Sequence, residues 1–321
     1  MMKLKKFYDE IIKKGIEADI RSRREIDLLL KTKKEEYEKL SEKEKAVFDA
    51  DTLFNPYADS RILNGDPGSD IRSVIVGIDV EGPELLLAER LKEKGEKIDL
   101  VISHHPEGYA YAHFYEVMDL QADIFAKQGV SLSVCDSLLS ERKLQVGRRV
   151  HAANHMRSVD IARLLGINFL CMHTPCDNCA NRFLKESLAK AKPSNLADII
   201  SMLSSIPEYH EAAKNNNAPR IVLGNKKSRC RNIHLEFTGG TEGPKDIYDR
   251  LSSCGVDTIV AMHQSEEHFK KCKDTNINVI FASHIASDNI GVNIVLDHLE
   301  SKEKLKIYEF SGFRRVKRKT K

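Results

Sequence analysis

The sequence predicts an α/β protein in which two domains follow a helical N-terminal segment. Short β-branched runs alternate with amphipathic segments from residue 73 onward, and this rhythm restarts after an asparagine-rich stretch at 192–217. A chain of 321 residues also exceeds what one hydrophobic core usually organises. We therefore expect a charged helical extension at 1–65, a first α/β domain at 66–192 and a second at 193–321.

The N-terminal segment is expected to be helical. Residues 1–50 are rich in Lys, Glu and Arg, and their isoleucines and leucines recur at spacings of three and four. Ser41 followed by Glu44 matches a capping box, which predicts a further short helix. Two prolines and two glycines then break the pattern within 55–70, which indicates a boundary or a structured loop.

The first domain is expected to start with a βαβ unit. Val74–Ile78 is a short β-branched run typical of a buried strand, a helix follows from Pro83 to Leu91, and Asp99–Ser103 is the next strand. Beyond it we expect a mixed sheet, with helices at 114–128 and 158–165 and strands at 131–135 and 168–172.

The second domain shows the same alternation of strands and helices from Arg220 onward. Apolar strand patterns there are separated by charged amphipathic segments, as in other α/β units. We expect strands near Ile221 and at 233–237, 258–262 and 279–282, with connecting helices at 245–253 and 266–273.

The composition excludes several classes of protein. Basic and acidic residues nearly balance at 51 and 48, so no general field attracts nucleic acid. No apolar run approaches the roughly 18 residues of a membrane span, and the first residues lack the apolar core of a secretory signal. Seven cysteines, an odd number, are expected to be thiols or ligands rather than disulfides. We expect a cytoplasmic protein.

Three polar motifs each follow directly after a predicted strand, where open α/β sheets present their ligand sites. Adjacent side chains point apart in an extended segment, so a histidine doublet would address two ions or two sides of one. A spacing of four residues places an imidazole and a carboxylate on one side of a helical turn. The motifs contain the doublet His104–His105 and two such pairs, His173 with Asp177 and His284 with Asp288.

Together the motifs supply four imidazoles and two carboxylates, which suits two ions such as Zn²⁺, Fe²⁺ or Mn²⁺. Carboxylates can bridge two ions, so Asp177 and Asp288 are the candidates for spanning the pair and for a catalytic part beside a metal-bound water. Other readings stay open. The doublet could be two structural histidines at a strand end, and Asp177 could orient His173 without binding metal.

The motifs resemble those of the Nif-three-like family (NGG-one-interacting factor three-like), whose members are often identified as GTP cyclohydrolase I type 2 homologues. The resemblance runs from about residue 73 to 299. It rests on the segments Val76–Val80, Asp99–Pro106, His173–Asp177 and His284–Asp288. It implies two related α/β domains with mixed sheets, a dinuclear metal centre, and a toroidal hexamer built as a trimer of dimers.

The sequence departs from the family pattern at three places. The last motif ends in Asp288 where the family usually has glutamate, and Glu107–Gly108 follow Pro106 where apolar residues are usual. The family opening is replaced by Tyr57–Arg61, after a charged extension. The shorter Asp288 side chain bears on the separation of the ions and on which metal is preferred.

The resemblance implies a metal-dependent hydrolase acting on a small, nucleotide-like molecule, for example in the manner of GTP cyclohydrolase type 2. The alternative is a non-catalytic metal-binding scaffold or a regulatory ring that binds other proteins. Weak nucleic-acid binding through the basic tail at 314–321 is a third reading, although a solvated terminus accounts for its charge more simply.

Four other signals have a functional reading beside a purely structural one. A C-x-x-C pair, Cys176 and Cys179, could bind metal, and a glycine-rich turn, Thr238–Pro244, could bind an anion. A His/Glu cluster could lie near the metal ligands; it consists of His263, Glu266, Glu267 and His268. A basic group could form a phosphate pocket; it consists of Arg148, Arg149, His151 and His155.

Overall fold

Helices and strands alternate along the chain in the computed structural model, which describes residues 1–318. The strands are β1 (Met2–Lys3), β2 (Arg61–Asn64), β3 (Asp70–Ile71), β4 (Ser73–Gly77), β5 (Leu100–Ser103), β6 (Phe169–Cys171), β7 (Arg220–Leu223), β8 (Ile233–Glu236), β9 (Thr258–Ala261), β10 (Asn278–Phe281) and β11 (Lys306–Glu309). The helices are α1 (Leu4–Ala18), α2 (Arg23–Glu38), α3 (Glu42–Lys45), α4 (Gly82–Glu93), α5 (Gly108–His113), α6 (Leu120–Ala126), α7 (Leu132–His151), α8 (Arg157–Leu165), α9 (Thr174–Ala191), α10 (Leu196–Ser204), α11 (Pro207–Lys214), α12 (Ile247–Ser253), α13 (Glu266–Asp274) and α14 (His284–Lys302). Short 3-10 helices occupy Ala50–Leu53 and Phe114–Asp119.

Two mixed sheets form the framework, as predicted. The larger has the order β11-β4-β5-β6-β2, in which only the edge strand β2 runs antiparallel to its neighbour. The smaller has the order β7-β10-β9-β8, again with an antiparallel edge strand, β7. The central strands β4, β5 and β9 are buried along their whole length, which explains why their sequences are continuously apolar rather than alternating.

Helices α9 and α14 pack against each other between the two sheets. On one side they share a core with α1 and with the larger sheet, through residues such as Val76 and Leu170. On the other side they share a core with α10, α11 and the smaller sheet, through residues such as Val260 and Ile280. Both helices therefore begin where the two halves of the molecule meet.

A segment from the first half covers the outer face of the second sheet. Helices α6 and α7 pack with α12 and α13 over β9 and β10, whereas α4 and α8 cover the outer face of the larger sheet. The predicted strand at 131–135 is wrong, because these residues lie in and just before α7. The four buried residues of that helix are spaced four, seven and four apart, which is a helical period that a five-residue window does not reveal.

The N-terminal extension and the C-terminal segment both join the first half. Helix α1 is part of the core around α9 and α14, whereas α2 buries only Ile26. Strand β2 lies within the predicted extension at 1–65, yet it belongs to the larger sheet, and so does β11, which lies within the range predicted for the second domain. The capping box at Ser41 and Glu44 is present. No helix within residues 1–318 combines the length and the apolar character needed to cross a bilayer.

The contact between α9 and α14 is close because one glycine lies in it. A Cβ atom added at Gly291 would collide with the carbonyl oxygen of Cys176 on α9. A similar approach occurs where Gly15 of α1 meets Pro175, with only 2.7 Å available between an added Cβ and the Pro175 Cα. Small residues at these positions let the three helices lie within backbone contact.

We predict that Gly291→Ala lowers the free energy of unfolding by about 1–3 kcal/mol, because a methyl group forces α14 away from α9. The matched control is Gly147→Ala in α7, where the added Cβ meets only the Tyr115 ring, at 3.5 Å. That change is expected to be neutral or to stabilise by about 0.5–1 kcal/mol. Urea unfolding measures both. Equal effects of the two substitutions would contradict the packing argument.

Candidate metal centre

The three polar motifs lie where three strands end. Strand β5 leads into His104 and His105, β6 leads through Met172 into His173, and β10 leads into His284. Helices α9 and α14 start within the last two motifs, so Asp177 and Asp288 lie in or near the first turn of a helix, where the macrodipole favours negative charge. Each motif thus lies just past the end of a strand, and two of them open a helix.

A strained turn brings α14 to the site. Ser283, between β10 and His284, has a φ of +79°, a conformation that a non-glycine residue rarely adopts. The turn is held by the next residues of the helix, because the Ser287 hydroxyl donates to the Ser283 carbonyl. Such strain is often found where a structure fixes functional side chains.

Asp288 lies at the centre of the six residues. Its Oδ1 is 3.6 Å from His104 Nε2, and its Oδ2 is 3.6 Å from Nε2 of both His105 and His284. Asp177 lies on the other side of His104, with 3.4 Å between Oδ1 and Nε2. Its Oδ2 is 3.6 Å from His173 Nε2. All six predicted residues therefore lie in one cluster.

The cluster contains three groups whose possible ligand atoms lie within 4.8 Å of one another. The groups are His104, His105 and His173; His105, His284 and Asp288; and His104, Asp177 and Asp288. Asp288 belongs to two of them, which makes it the better candidate for a bridging carboxylate than Asp177. Within residues 1–318 no cysteine belongs to such a group, and Cys176 and Cys179 are buried free thiols.

Three of the imidazole rings are oriented by a hydrogen bond at Nδ1, the ring nitrogen that points away from the centre of the cluster. The Nδ1 of His104 is 3.1 Å from the Met172 carbonyl oxygen, that of His105 is 2.6 Å from Asp79 Oδ1, and that of His173 is 2.8 Å from Asp59 Oδ2. An Nδ1–H that donates to such an acceptor leaves the Nε2 lone pair facing the centre of the cluster. Histidine ligands of metals are usually oriented in this way.

Several buried atoms of the cluster have no hydrogen-bond partner among the described residues. They are His104 Nε2, Asp177 Oδ1 and both carboxylate oxygens of Asp288. Buried polar atoms are rarely left unpaired, because the lost solvation costs about 1–3 kcal/mol each and more for a charge. A divalent cation would satisfy these atoms together, so the residues fit a metal site.

The pKa shifts reflect the same crowding of ligands. Burial would lower the pKa of His104, but Asp288 and Asp177 raise it well above the ordinary value. Burial would also lower the pKa of His105, but hydrogen bonds to Asp288 and Asp79 raise it to about 9. Burial opposes the ionised form of Asp288, yet the facing histidines hold its pKa well below the usual range. The carboxylates thus make the centre of the cluster favourable for positive charge, which a bound cation would supply in place of protons.

Two carboxylates that support the cluster were not recognised in the sequence. Asp59 is fully buried and accepts hydrogen bonds from His173, Thr174 Oγ1 at 2.5 Å and Ser60 Oγ at 3.1 Å. Burial would raise the pKa of Asp59, but these bonds hold it below the ordinary value. Asp79 lies two residues after β4, at the same edge of the sheet as His104 after β5, and that shared position is the signal that could have identified it.

A cleft and an inner cavity adjoin the cluster. The cleft has a volume of about 610 Å³ and reaches His105, His173 and His284 from the surface, with His155 and Arg157 at its rim. The inner cavity, of about 100 Å³, lies between α6 and the end of β8 and contacts the same cluster.

The turn at Thr238–Pro244 separates the cleft from the inner cavity. Gln121 of α6 donates from Nε2 to the carbonyl oxygens of Gly239 and Thr241. Gly239 has a φ of +102°, and a Cβ there would lie 2.6 Å from the Gln121 side chain. The turn therefore forms one wall of the cavity and is held against the first half of the molecule.

The predicted His/Glu cluster does not lie at one place. Its members are His263, Glu266, Glu267 and His268. The rings of His263 and His284 lie 4.8 Å apart, and His263 also faces Glu242 at 3.7 Å. His268 is buried and contacts Ser265 and the Gly243 carbonyl oxygen. The two glutamates lie on the exposed face of α13, as expected.

The basic group of α7 does not form one pocket. His155 lines the cleft beside the metal cluster, whereas Arg148 and His151 line a different groove along α7. The prediction of a shared phosphate pocket for these residues is therefore not supported by their placement.

The basic tail is bound to the rest of the protein as far as Arg318. Arg315 pairs with Asp297 and Glu300 of α14, and Arg318 pairs with the buried Glu208 at 2.6 Å. The expectation of a solvated tail is wrong for these two residues, because α14 and α11 offer carboxylates along the side that the tail follows. Residues 319–321 lie outside the described part of the chain.

We predict that Asp59→Asn weakens divalent-metal binding about 10- to 100-fold, because the uncharged amide orients His173 less firmly and makes its Nε2 less basic. Competition with a chromophoric chelator measures the affinity, and circular dichroism checks that the variant is folded. Asp160→Asn on the exposed side of α8 is the control. An affinity for Asp59→Asn equal to that of the control would refute a positioning role.

A second prediction concerns His234 of β8, which is 1% exposed in the inner cavity. Burial lowers the pKa of His234 from 6.5 to about 4, so between these pH values the unfolded chain binds a proton that the folded chain does not. Lowering the pH through this window therefore lowers the free energy of unfolding. The complete contribution of His234 to this loss is about 3 kcal/mol.

His234→Phe is expected to remove that part of the pH dependence. Urea unfolding at pH 7, 5.5 and 4.5 gives the slope for the wild type and the variant, and His210→Phe on the exposed side of α11 is the matched control. Identical slopes in wild type and His234→Phe would show that this imidazole is not held neutral.

Three solved structures are similar to this chain. A NIF3 superfamily protein from Sphaerobacter thermophilus is 28% identical, with a TM-score of 0.72 over 79% of this chain and 91% of its own. HcgD from Methanocaldococcus jannaschii is 13% identical, with a TM-score of 0.48 over 83% and 93%. A Bacillus cereus protein related to NIF3 is 12% identical, with a TM-score of 0.42 over 78% and 90%.

No protein-family model matches the sequence, and no curated protein matches it. The assignment therefore rests on the structural match to the Sphaerobacter protein, which extends over most of both chains. It also rests on the three histidine motifs, which the fold brings together at the ends of its strands. On these grounds the chain has the fold of the NIF3 superfamily protein and carries three motifs that resemble those of the Nif-three-like family.

Proposed function

We propose that this protein is a metal-dependent hydrolase with a dinuclear centre. The observation that carries the proposal is the position of Asp288, whose two oxygens are buried, unpaired among the described residues and shared by two groups of ligand atoms. One ion would be held by Asp288 with His105 and His284, and the other by Asp288 with His104 and Asp177. Zn²⁺, Fe²⁺ and Mn²⁺ are the ions that this donor set suits.

Two such ions would acidify a water molecule and polarise the bond under attack. The protein's own side chains would hold the ions and position the substrate. Asp59 and Asp79 orient two of the imidazoles, and burial keeps bulk water from the inner side of the cluster. Asp177 and Asp288 would be the carboxylates that hold the ions.

An accessible cluster favours an enzyme over a metal-binding scaffold. The side chains of His284 and His105 are 37% and 25% exposed, and both line the open cleft. A structural metal site is normally closed by its protein ligands, whereas a catalytic site keeps a position open to substrate. The accessible side of this cluster therefore supports catalysis on a small molecule.

The size and lining of the cleft support a substrate of roughly nucleotide size. Its volume of about 610 Å³ is within the range of small-molecule sites. His155 at the rim offers an imidazole to an anionic group, whereas Arg157 there already pairs with Glu81 at 2.6 Å. Hydrolysis of a purine imidazole ring, as in GTP cyclohydrolase type 2, is the reaction that the family resemblance implies. We keep it as the first substrate class to examine.

Metal analysis tests the centre itself. We predict about two equivalents of divalent metal per chain in protein purified without added metal, and none in the His104→Ala, His105→Ala double variant, because both ions lose a ligand. The matched control is His151→Ala with His210→Ala, two histidines outside the cluster. Wild-type protein without metal, or a double variant that keeps both ions, would refute the centre.

Activity is then measured on GTP and other nucleotides with the metal-loaded wild type. We expect turnover that a chelator abolishes and that Zn²⁺, Fe²⁺ or Mn²⁺ restores, with none in the double variant. Bound metal without turnover of any compound would leave the scaffold as the function and refute the hydrolase.

The hexamer implied by the family resemblance remains a proposal. A trimer of dimers with its sites facing an inner cavity would give a light-scattering mass close to six chains. A mass of one or two chains at micromolar concentration would contradict it.

A further inference from the structure

The inner cavity has polar groups that the metal cluster does not use. Both ring nitrogens of His234 and the Oε1 of Gln121 lack a hydrogen-bond partner among the described residues, although these side chains are only 1% and 4% exposed. Both residues line the cavity, one from β8 of the second half and one from α6 of the first. Buried polar atoms that face a cavity indicate a ligand with matching groups.

The hydrogen-bonding capacity of these groups can be read from their partners. Gln121 donates from Nε2 to two carbonyl oxygens of the Gly239–Thr241 turn, so its Oε1 remains as an acceptor. A neutral imidazole offers one N–H donor and one nitrogen acceptor. The cavity thus presents one donor and two acceptors, which a ligand bearing a carbonyl oxygen and one or two N–H groups would satisfy.

The charges around the cavity disfavour an ion. No Lys or Arg lines it, so a phosphate or carboxylate would be drawn to the ions of the proposed metal centre rather than to His234 and Gln121. Among its acids, Glu242 already faces His263 and His268, and Asp177 and Asp288 belong to the metal cluster. The remaining acid is Glu236, which accepts from Tyr248 at 3.2 Å, and burial raises its pKa to about 7.

The shape of the cavity favours a small planar group. Its volume of about 100 Å³ is less than the roughly 150 Å³ of a protein cavity that accepts benzene. Phe125, Ile124 and Met262 supply apolar walls, and the Phe125 ring lies 5.8 Å from the His234 ring at an angle of 35°. An open amide, or the amide edge of a lactam ring whose remainder lies toward the cluster, would fit against such walls.

We propose that the inner cavity is a recognition slot for a carboxamide or lactam group of the substrate, read by His234 and Gln121 beside the metal cluster. The inference rests on the proposed function, since His173, Asp177, His284 and Asp288 also line the cavity. A bound amide plane would place the rest of the molecule toward the cluster and the outer cleft.

Binding of small probes to the metal-loaded full chain tests the slot. The probes are 2-pyridone for a lactam, acetamide for an open amide, N-methyl-2-pyridone for a lactam without N–H, benzene for an apolar ring, and inorganic phosphate and methylammonium for ions. Calorimetry and saturation-transfer NMR give their Kd values. We expect 2-pyridone or acetamide to bind at least tenfold more tightly than N-methyl-2-pyridone, benzene or methylammonium. Phosphate is expected to contact the metal ions and to leave the side-chain ¹⁵N signals of His234 unshifted. Equal or tighter binding of N-methyl-2-pyridone, benzene or methylammonium, or a shift of the His234 signals by phosphate, would overturn the proposal.

Variants of His234 separate recognition from structure. His234→Phe keeps a ring but removes both nitrogens, and we expect it to weaken binding of the preferred amide at least tenfold without changing metal content. His234→Gln keeps a donor and an acceptor and is expected to restore the affinity to within threefold of wild type. His210→Phe is the matched control. Unchanged affinity in His234→Phe, or no rescue by glutamine, would refute the assignment.

A readout in the wild type keeps the test independent of how the variants fold. The side-chain ¹⁵N signals of His234 should shift when 2-pyridone or acetamide binds, because both nitrogens gain a partner. Absence of that shift at saturation would overturn the proposal. Because metal content is measured separately, failure of the slot is distinguishable from failure of the dinuclear centre.

Discussion

The structure depends on how one buried carboxylate, that of Asp288, is stabilised. Its two oxygens face three imidazole rings that come from the ends of two strands, β5 and β10. A buried charge without partners costs several kcal/mol, so those strand ends must be in register with the start of α14. The strained turn at Ser283 and the close approach at Gly291 are two local features that bring the helix to this place.

The positions of the candidate ligands were predictable from the sequence because each depends on a local rule. An apolar strand followed by a histidine places that histidine at the edge of a sheet, and a spacing of four aligns His284 with Asp288 on one helix face. The family resemblance then supplied the expectation that the three motifs converge. The fold class and the mixed sheets followed from the alternation of strand and helix patterns.

Features that depend on distant contacts were not predictable in this way. Asp59 matters because it meets His173, more than a hundred residues away, and nothing in its own neighbourhood indicates that contact. Strand β11 is short and partly charged, and it becomes a strand by pairing with β4. The start of α7 alternates like a strand over five residues, and only its longer pattern and its burial against the second half show a helix.

The placement of α6 and α7 over the second sheet also determines how the molecule can come apart. These helices belong by sequence to the first half, yet their apolar side chains complete the core of the other half. Separating the halves at 192 would strip one sheet of its cover and leave a large apolar face in water. The protein is therefore an interlocked unit, and its halves are not exchangeable modules for recombination or for expression as fragments.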